Sequence, residues 1–200
     1  GGVLPLQTNW QRLSRNLEEV YAESETDGIW YVNDYPCPAF LIQSRTKEAD
    51  ERLFLKLYEA LSGLQKGIDE PMLNIISWRN GDDYLTVVFP RKKHRPDCYT
   101  SEDENQFIIS PGTLDMAGLI ITPREQDYER ITPEVAFGIL QEVSLSDEEV
   151  SDVIEQLGGK EEQEVAISNP SLAGRKQPEV SVGIVSGEKI NFTLNAPYMA

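Results

Sequence analysis

Met72-Leu73-Asn74-Ile75-Ile76-Ser77-Trp78, Arg79-Asn80-Gly81-Asp82-Asp83 and Tyr84-Leu85-Thr86-Val87-Val88-Phe89 follow one another near the middle of the chain. The outer two runs are rich in β-branched and aromatic residues, and the Asn-Gly between them is a strong hairpin signal. Two adjacent strands joined by a tight turn must be antiparallel, which places an antiparallel sheet at the centre of the fold.

Other segments extend that sheet or cover it. Ile29–Val32 and Ala39–Gln43 read as strands, separated by Pro36-Cys37-Pro38. Between the second of them and the central hairpin, Thr46 is suited to cap a helix whose first turn holds Glu48, Asp50 and Glu51. Leu53, Phe54, Leu57, Leu61 and Leu64 form its apolar stripe, and Gly67 is the expected stop. Trp10, Leu13, Leu17 and Tyr21 repeat at helical spacing, so a first helix is expected from Thr8, ended by Thr26-Asp27-Gly28. Gln106–Ile109 and Leu119–Thr122 read as further strands around Ser110-Pro111-Gly112. Thr132-Pro133 opens a helix with Val135, Ile139, Leu140 and Val143 on one face. Ser146 and Glu149 form a capping box ahead of Val150, Val153, Ile154 and Leu157, ended by Gly158-Gly159. The expected fold class is α+β: a mainly antiparallel sheet with packed helices, two C-terminal helices and a trailing hairpin. The hairpin is read at Val180–Val185 and Ile190–Leu194, after a polar linker at 160–178. The expected units are therefore a domain over residues 1–159, the linker, and the start of a second domain over 179–200.

Composition narrows the function. The chain has 200 residues with 34 acidic and 18 basic side chains, and a net charge of −16, so broad binding to nucleic acid or anionic membrane is not expected. No apolar run approaches the ~20 residues of a membrane-spanning helix. The opening Gly-Gly-Val lacks a basic and apolar leader, so the expected location is cytoplasmic, and a piece of a longer protein is expected. A single histidine excludes a histidine-rich metal centre, and Cys37 and Cys98 lack metal-binding spacing, so neither metal nor cofactor is expected. No Gly-x-Ser-x-Gly elbow, dinucleotide fingerprint or Walker lysine motif occurs.

Against that acidic background, Arg91-Lys92-Lys93-His94-Arg95 gathers four of the 18 basic residues and the sole histidine directly after a strand. Arginine can grip a phosphate with two parallel hydrogen bonds and lysine adds a compact charge. The segment is a candidate phosphate site; the alternative is a solvated basic loop balancing nearby acids.

Taken in order, Asn74-Ile75-Ile76-Ser77, Tyr84 to Arg91, Ile109-Ser110 and Ala117-Gly118-Leu119-Ile120 resemble the C-terminal half of ATP adenylyltransferases, the diadenosine tetraphosphate phosphorylases. Those are grouped with galactose-1-phosphate uridylyltransferase and GDP-L-galactose phosphorylase in the histidine-triad-like superfamily. Glu70 to Asn74, Phe89-Pro90-Arg91 and His94-Arg95-Pro96 are similar to a related bacterial domain family, and the resemblance spans residues 3 to 145. It implies half of a duplicated α+β fold, and nucleotidyl transfer or phosphorolysis through a histidine nucleophile. With His94 alone, followed by Arg95, the reactive His-x-His motif is missing. No catalytic residue is therefore assigned. The expected partners are a phosphorylated nucleotide or nucleotide-sugar and a missing N-terminal half of the same polypeptide. By position, Asn74, Arg91 and Ser110 carry over to the substrate side, joined by Lys92, Lys93, His94 and Arg95, with Ala117-Gly118 as a close-packed strand start. Pro178 to Val185 resembles the opening strand of SpoIID/LytB-type domains, which implies as an alternative a non-catalytic scaffold beside a cell-wall domain, and an envelope location.

Overall fold

The computed structural model describes residues 4–64, 70–158, 182–186 and 189–193. Its centre is a five-stranded antiparallel sheet in the order β1-β2-β3-β5-β4, comprising β1 (Leu17–Ala22), β2 (Gly28–Val32), β3 (Phe40–Ser44), β4 (Met72–Asn80) and β5 (Asp83–Arg91). The fold is the expected α+β class. The central hairpin forms as read: Asn80 pairs with Asp83, and Gly81 takes the left-handed conformation (φ 64°) that the tight turn demands.

β3 and β5 are buried at nearly every position because both faces of the sheet are covered. On one face Phe40, Ile42 and Val88 pack with α3 (Lys47–Leu64), through Leu53, Leu57 and Leu61, and with α7 (Asp147–Gly158), through Val150, Val153 and Leu157. On the other, Leu41, Leu85, Val87 and Phe89 meet α6 (Pro133–Val143), through Ala136, Ile139, Leu140 and Val143. Burying a side chain of this size contributes about 1.5–3 kcal/mol, so the double cover supplies most of the driving force. The caps form as read: the Ala49 amide donates to Thr46 Oγ1 (3.1 Å), Val135 to Thr132 Oγ1 (3.3 Å), and Ser146 and Glu149 bond reciprocally.

Three expectations fail, each for a local reason. The first helix is two single turns, α1 (Pro5–Thr8) and α2 (Trp10–Leu13), after which Leu17 and Tyr21 lie in β1. A spacing of four satisfies strand alternation as well as a helical turn. Gln106–Ile109 joins no ladder because side chains take its backbone groups: Ile108 N donates to Asp127 (3.0 Å), and the Gln106 carbonyl accepts from Arg124 (3.3 Å) and Arg130. Leu119–Thr122 likewise forms no strand. The Ile121 amide donates to Asp115 (2.7 Å) and the Leu119 amide to the Leu114 carbonyl of α4 (Thr113–Met116). α5 (Glu125–Arg130), which supplies Arg130 and has Arg124 as its N-cap, was not anticipated.

The trailing hairpin is present as β6 (Val182–Ser186) paired antiparallel with β7 (Lys189–Thr193). The expected stop at Gly67 and the linker at 160–178 lie outside the described residues. No described helix is long and apolar enough to cross a membrane.

Candidate functional site

One end of the sheet gathers the sequence-flagged residues. β5 ends there at Arg91, and the antiparallel register sets Met72 opposite Arg91 and Asn74 opposite Phe89. Arg91 is buried (7% exposed), and its guanidinium donates to Asn74 Oδ1 (3.2 Å) and to the carbonyls of Pro111, Lys93 (3.1 Å) and His94. Burial lowers its pKa, opposed by the nearby Asp115 carboxylate and Cys37, but a guanidinium keeps its proton at neutral pH. Ser110 Oγ donates to the same His94 carbonyl (3.4 Å). Asn74, Arg91, Lys93, His94 and Ser110 are thus brought together, largely through backbone oxygens. Arg91 clasps the basic loop shut and ties it to the 110–112 segment.

The remaining cations divide in two. Lys93 Nζ is held by Asp97 (2.7 Å) and Glu142, and these hydrogen bonds raise its pKa while Lys93 lowers that of Asp97. Lys92, His94 and Arg95 are exposed. The Arg95 guanidinium lies over the Tyr99 ring, 4.2 Å from its centroid, which fixes its direction without neutralising it. These three side chains are the part of the loop that an anion can reach.

Beside the loop a half-open cleft of about 520 Å³ runs between the β2–β3 turn and α6. Tyr31, Tyr35, Pro36, Cys37 and Pro38 form one wall, and Glu134, Phe137, Gly138 and Gln141 the other. Leu145, Ser146 and Asp147 close it where the chain crosses from one face of the sheet to the other, and Lys92 stands at its rim. The wall on α6 follows from helical spacing: positions 134, 137, 138 and 141 are i, i+3, i+4 and i+7 on one face. Two cleft groups are chemically quiet. Burial pushes the Cys37 thiol up to about 12, against a Ser144 hydrogen bond and the Arg91 charge, so it stays protonated and non-nucleophilic. Burial, with Cys37 adding to it, also raises Tyr35, whose hydroxyl donates to the Met116 carbonyl (2.7 Å).

Gly118, expected at a strand start, follows α4 instead; its φ of 97° suits glycine, and an added Cβ would stand 3.0 Å from Pro5. The close packing is present, but in a helix-terminal turn. The cleft was missed in the sequence because five separate segments build it. Its one local signal was the α6 face opposite the apolar stripe.

A family model described as "GDPGP1-like, C-terminal domain" matches residues 12–161. Comparison with curated proteins found no match, and comparison with solved structures found none. The matched stretch holds the sheet, both of its covers, the basic loop and the cleft, and stops short of β6 and β7. The chain belongs to the GDPGP1-like C-terminal domain family.

Proposed function

We propose that this domain holds the phosphate groups of a nucleotide or nucleotide-sugar in a phosphorylase-type reaction. Lys92, His94 and Arg95 make the cationic contact, and a preceding half of the polypeptide supplies the histidine nucleophile. The family match over residues 12–161 carries the reading. The arrangement of the loop supports it: three exposed cationic or protonatable side chains stand on a backbone that Arg91 locks from beneath. Phosphoryl and nucleotidyl transfer build negative charge on phosphate oxygens, and preorganised cations stabilise that charge without rearranging. Arg91, Asn74 and Ser110 serve as positioning residues, and Lys93 as the loop's anchor to α6.

Attack on phosphorus needs an unprotonated imidazole oriented by a partner. His94 is the single histidine of the chain, and its neighbours Lys93 and Arg95 are cationic. Holding without attack is therefore the role assigned to this domain. Among the described residues no backbone hydrogen bond outside the β4–β5 ladder involves Met72–Asn80, so that edge offers a partner half a strand to pair with.

The test is phosphate-dependent cleavage of nucleotide sugars by the 200-residue chain, alone and in its full-length parent. The domain alone is expected to show no turnover, with activity appearing only when the preceding half is present. Turnover by residues 1–200 that His94→Ala abolishes would overturn the assignment.

A further inference from the structure

Glycine is a poor residue for a helix interior, and Gly138 stands in the middle of α6. Such a glycine is ordinarily retained for a close packing contact, yet an ideal Cβ built there meets nothing within 4 Å. No described neighbour needs the space. Gly138 faces the cleft, between Phe137 and Gln141 on the same helix face. The missing side chain keeps open a volume within the ~300–1,000 Å³ typical of small-molecule sites.

Three polar side chains at that volume are uncommitted. The side chains of Lys92, Gln141 and Asp147 make no hydrogen bond or ion pair among the described residues. Gln141 offers a donor and an acceptor side by side, and Asp147 accepts from N–H or O–H groups. Tyr31 of β2 and Phe137 of α6 both line it and supply aromatic surface on which a flat heterocycle can rest. Lys92 borders both this cleft and the exposed loop through His94 and Arg95. A ligand seated here therefore has its anionic end led toward the loop.

We infer that the cleft is the base-and-ribose subsite of the nucleotide whose phosphates the loop holds, with Gly138 as its gap. The inference rests on the reading given under the proposed function, and the two can fail separately. Gln141 reads the polar edge of the base, Asp147 accepts from an amino or hydroxyl group, and Tyr31 and Phe137 supply the aromatic surface.

The four common ribonucleosides, which carry no phosphate, probe the cleft alone; inorganic pyrophosphate probes the loop alone. Both are titrated into the 200-residue chain and into Gly138→Trp, Gly138→Ala and Gln141→Ala, with thermal midpoints recorded for each. At least one nucleoside is expected to bind wild type, at least tenfold more weakly to Gly138→Trp and at least threefold more weakly to Gln141→Ala. Gly138→Ala is expected to stay within threefold of wild type, and pyrophosphate binding to be the same in all four proteins. Absence of nucleoside binding to wild type, or binding that neither Gly138→Trp nor Gln141→Ala weakens, overturns the subsite. Nucleoside binding that responds to these variants without any pyrophosphate binding supports the cleft and overturns the loop reading instead.

Discussion

At the scale of single residues, Arg91 is the clearest case of a functional-looking side chain with a structural task. Its sequence context, at the head of a basic run, suits a phosphate ligand. In the fold its donors face inward to Asn74 and three backbone carbonyls. Those oxygens belong to three separate segments, so removing the guanidinium strands several buried acceptors together. Arg91→Met is expected to cost about 3 kcal/mol or more in a denaturant titration, the range for breaking a buried charged network. Arg91→Lys should recover little of it, because an ammonium cannot span the same fork of acceptors. Loss of phosphate binding in Arg91→Met with unchanged stability would make Arg91 a direct ligand instead. No reading of residue types separates these roles, because it is the register of β4 against β5 that carries Asn74 under the guanidinium.

At the scale of elements, the sequence was most legible where structure is set locally. The Asn80-Gly81 turn, the Thr46 and Thr132 caps and the Ser146–Glu149 box each act within a few residues, and each is found as read. Gln106–Ile109 shows the limit. Its alternation is real, with Phe107 and Ile109 buried, but the partners of its backbone come from α5 and its N-cap Arg124, about twenty residues later. Asp127 is the keystone of that arrangement, fully buried, accepting from Ile108 N, from Arg124 (2.8 Å) and from Arg130 (3.1 Å). Burial alone would push its carboxyl up; the Arg124 and Ile108 hydrogen bonds and Arg130 outweigh that and hold it below the usual range. A folded value below the unfolded one, about 3.9, means the stabilisation is complete above that pH and lost as pH falls through the folded value. Asp127→Asn is therefore expected to destabilise by about 2 kcal/mol at pH 7, since its arginine partners are partly exposed and screened. It should also flatten the loss of stability below about pH 4. Denaturation midpoints from pH 7 to 3 that fall in parallel for both proteins would contradict this.

At the scale of the whole molecule, a chain of net charge −16 presents three exposed cationic or protonatable side chains at one sheet end, beside a cleft. The cluster at 91–95 was legible because it is contiguous. That Arg91 and Lys93 are consumed internally was not, because Pro111, Asn74, Asp97 and Glu142 reach them only through the fold. The cleft was less legible still, being assembled from five stretches of which only the α6 face carries a periodic signature. The central claim is that the surface of Lys92, His94 and Arg95 receives phosphate. His94 is the single histidine of the chain, so its imidazole signals can be assigned without ambiguity among histidines. The most direct measurement follows those resonances by NMR while inorganic pyrophosphate is added to wild type and to Arg95→Glu. The account predicts a saturable shift of the His94 signals in wild type and a much weaker response in Arg95→Glu. His94 signals that stay fixed in wild type, or that move equally in both proteins, would contradict it.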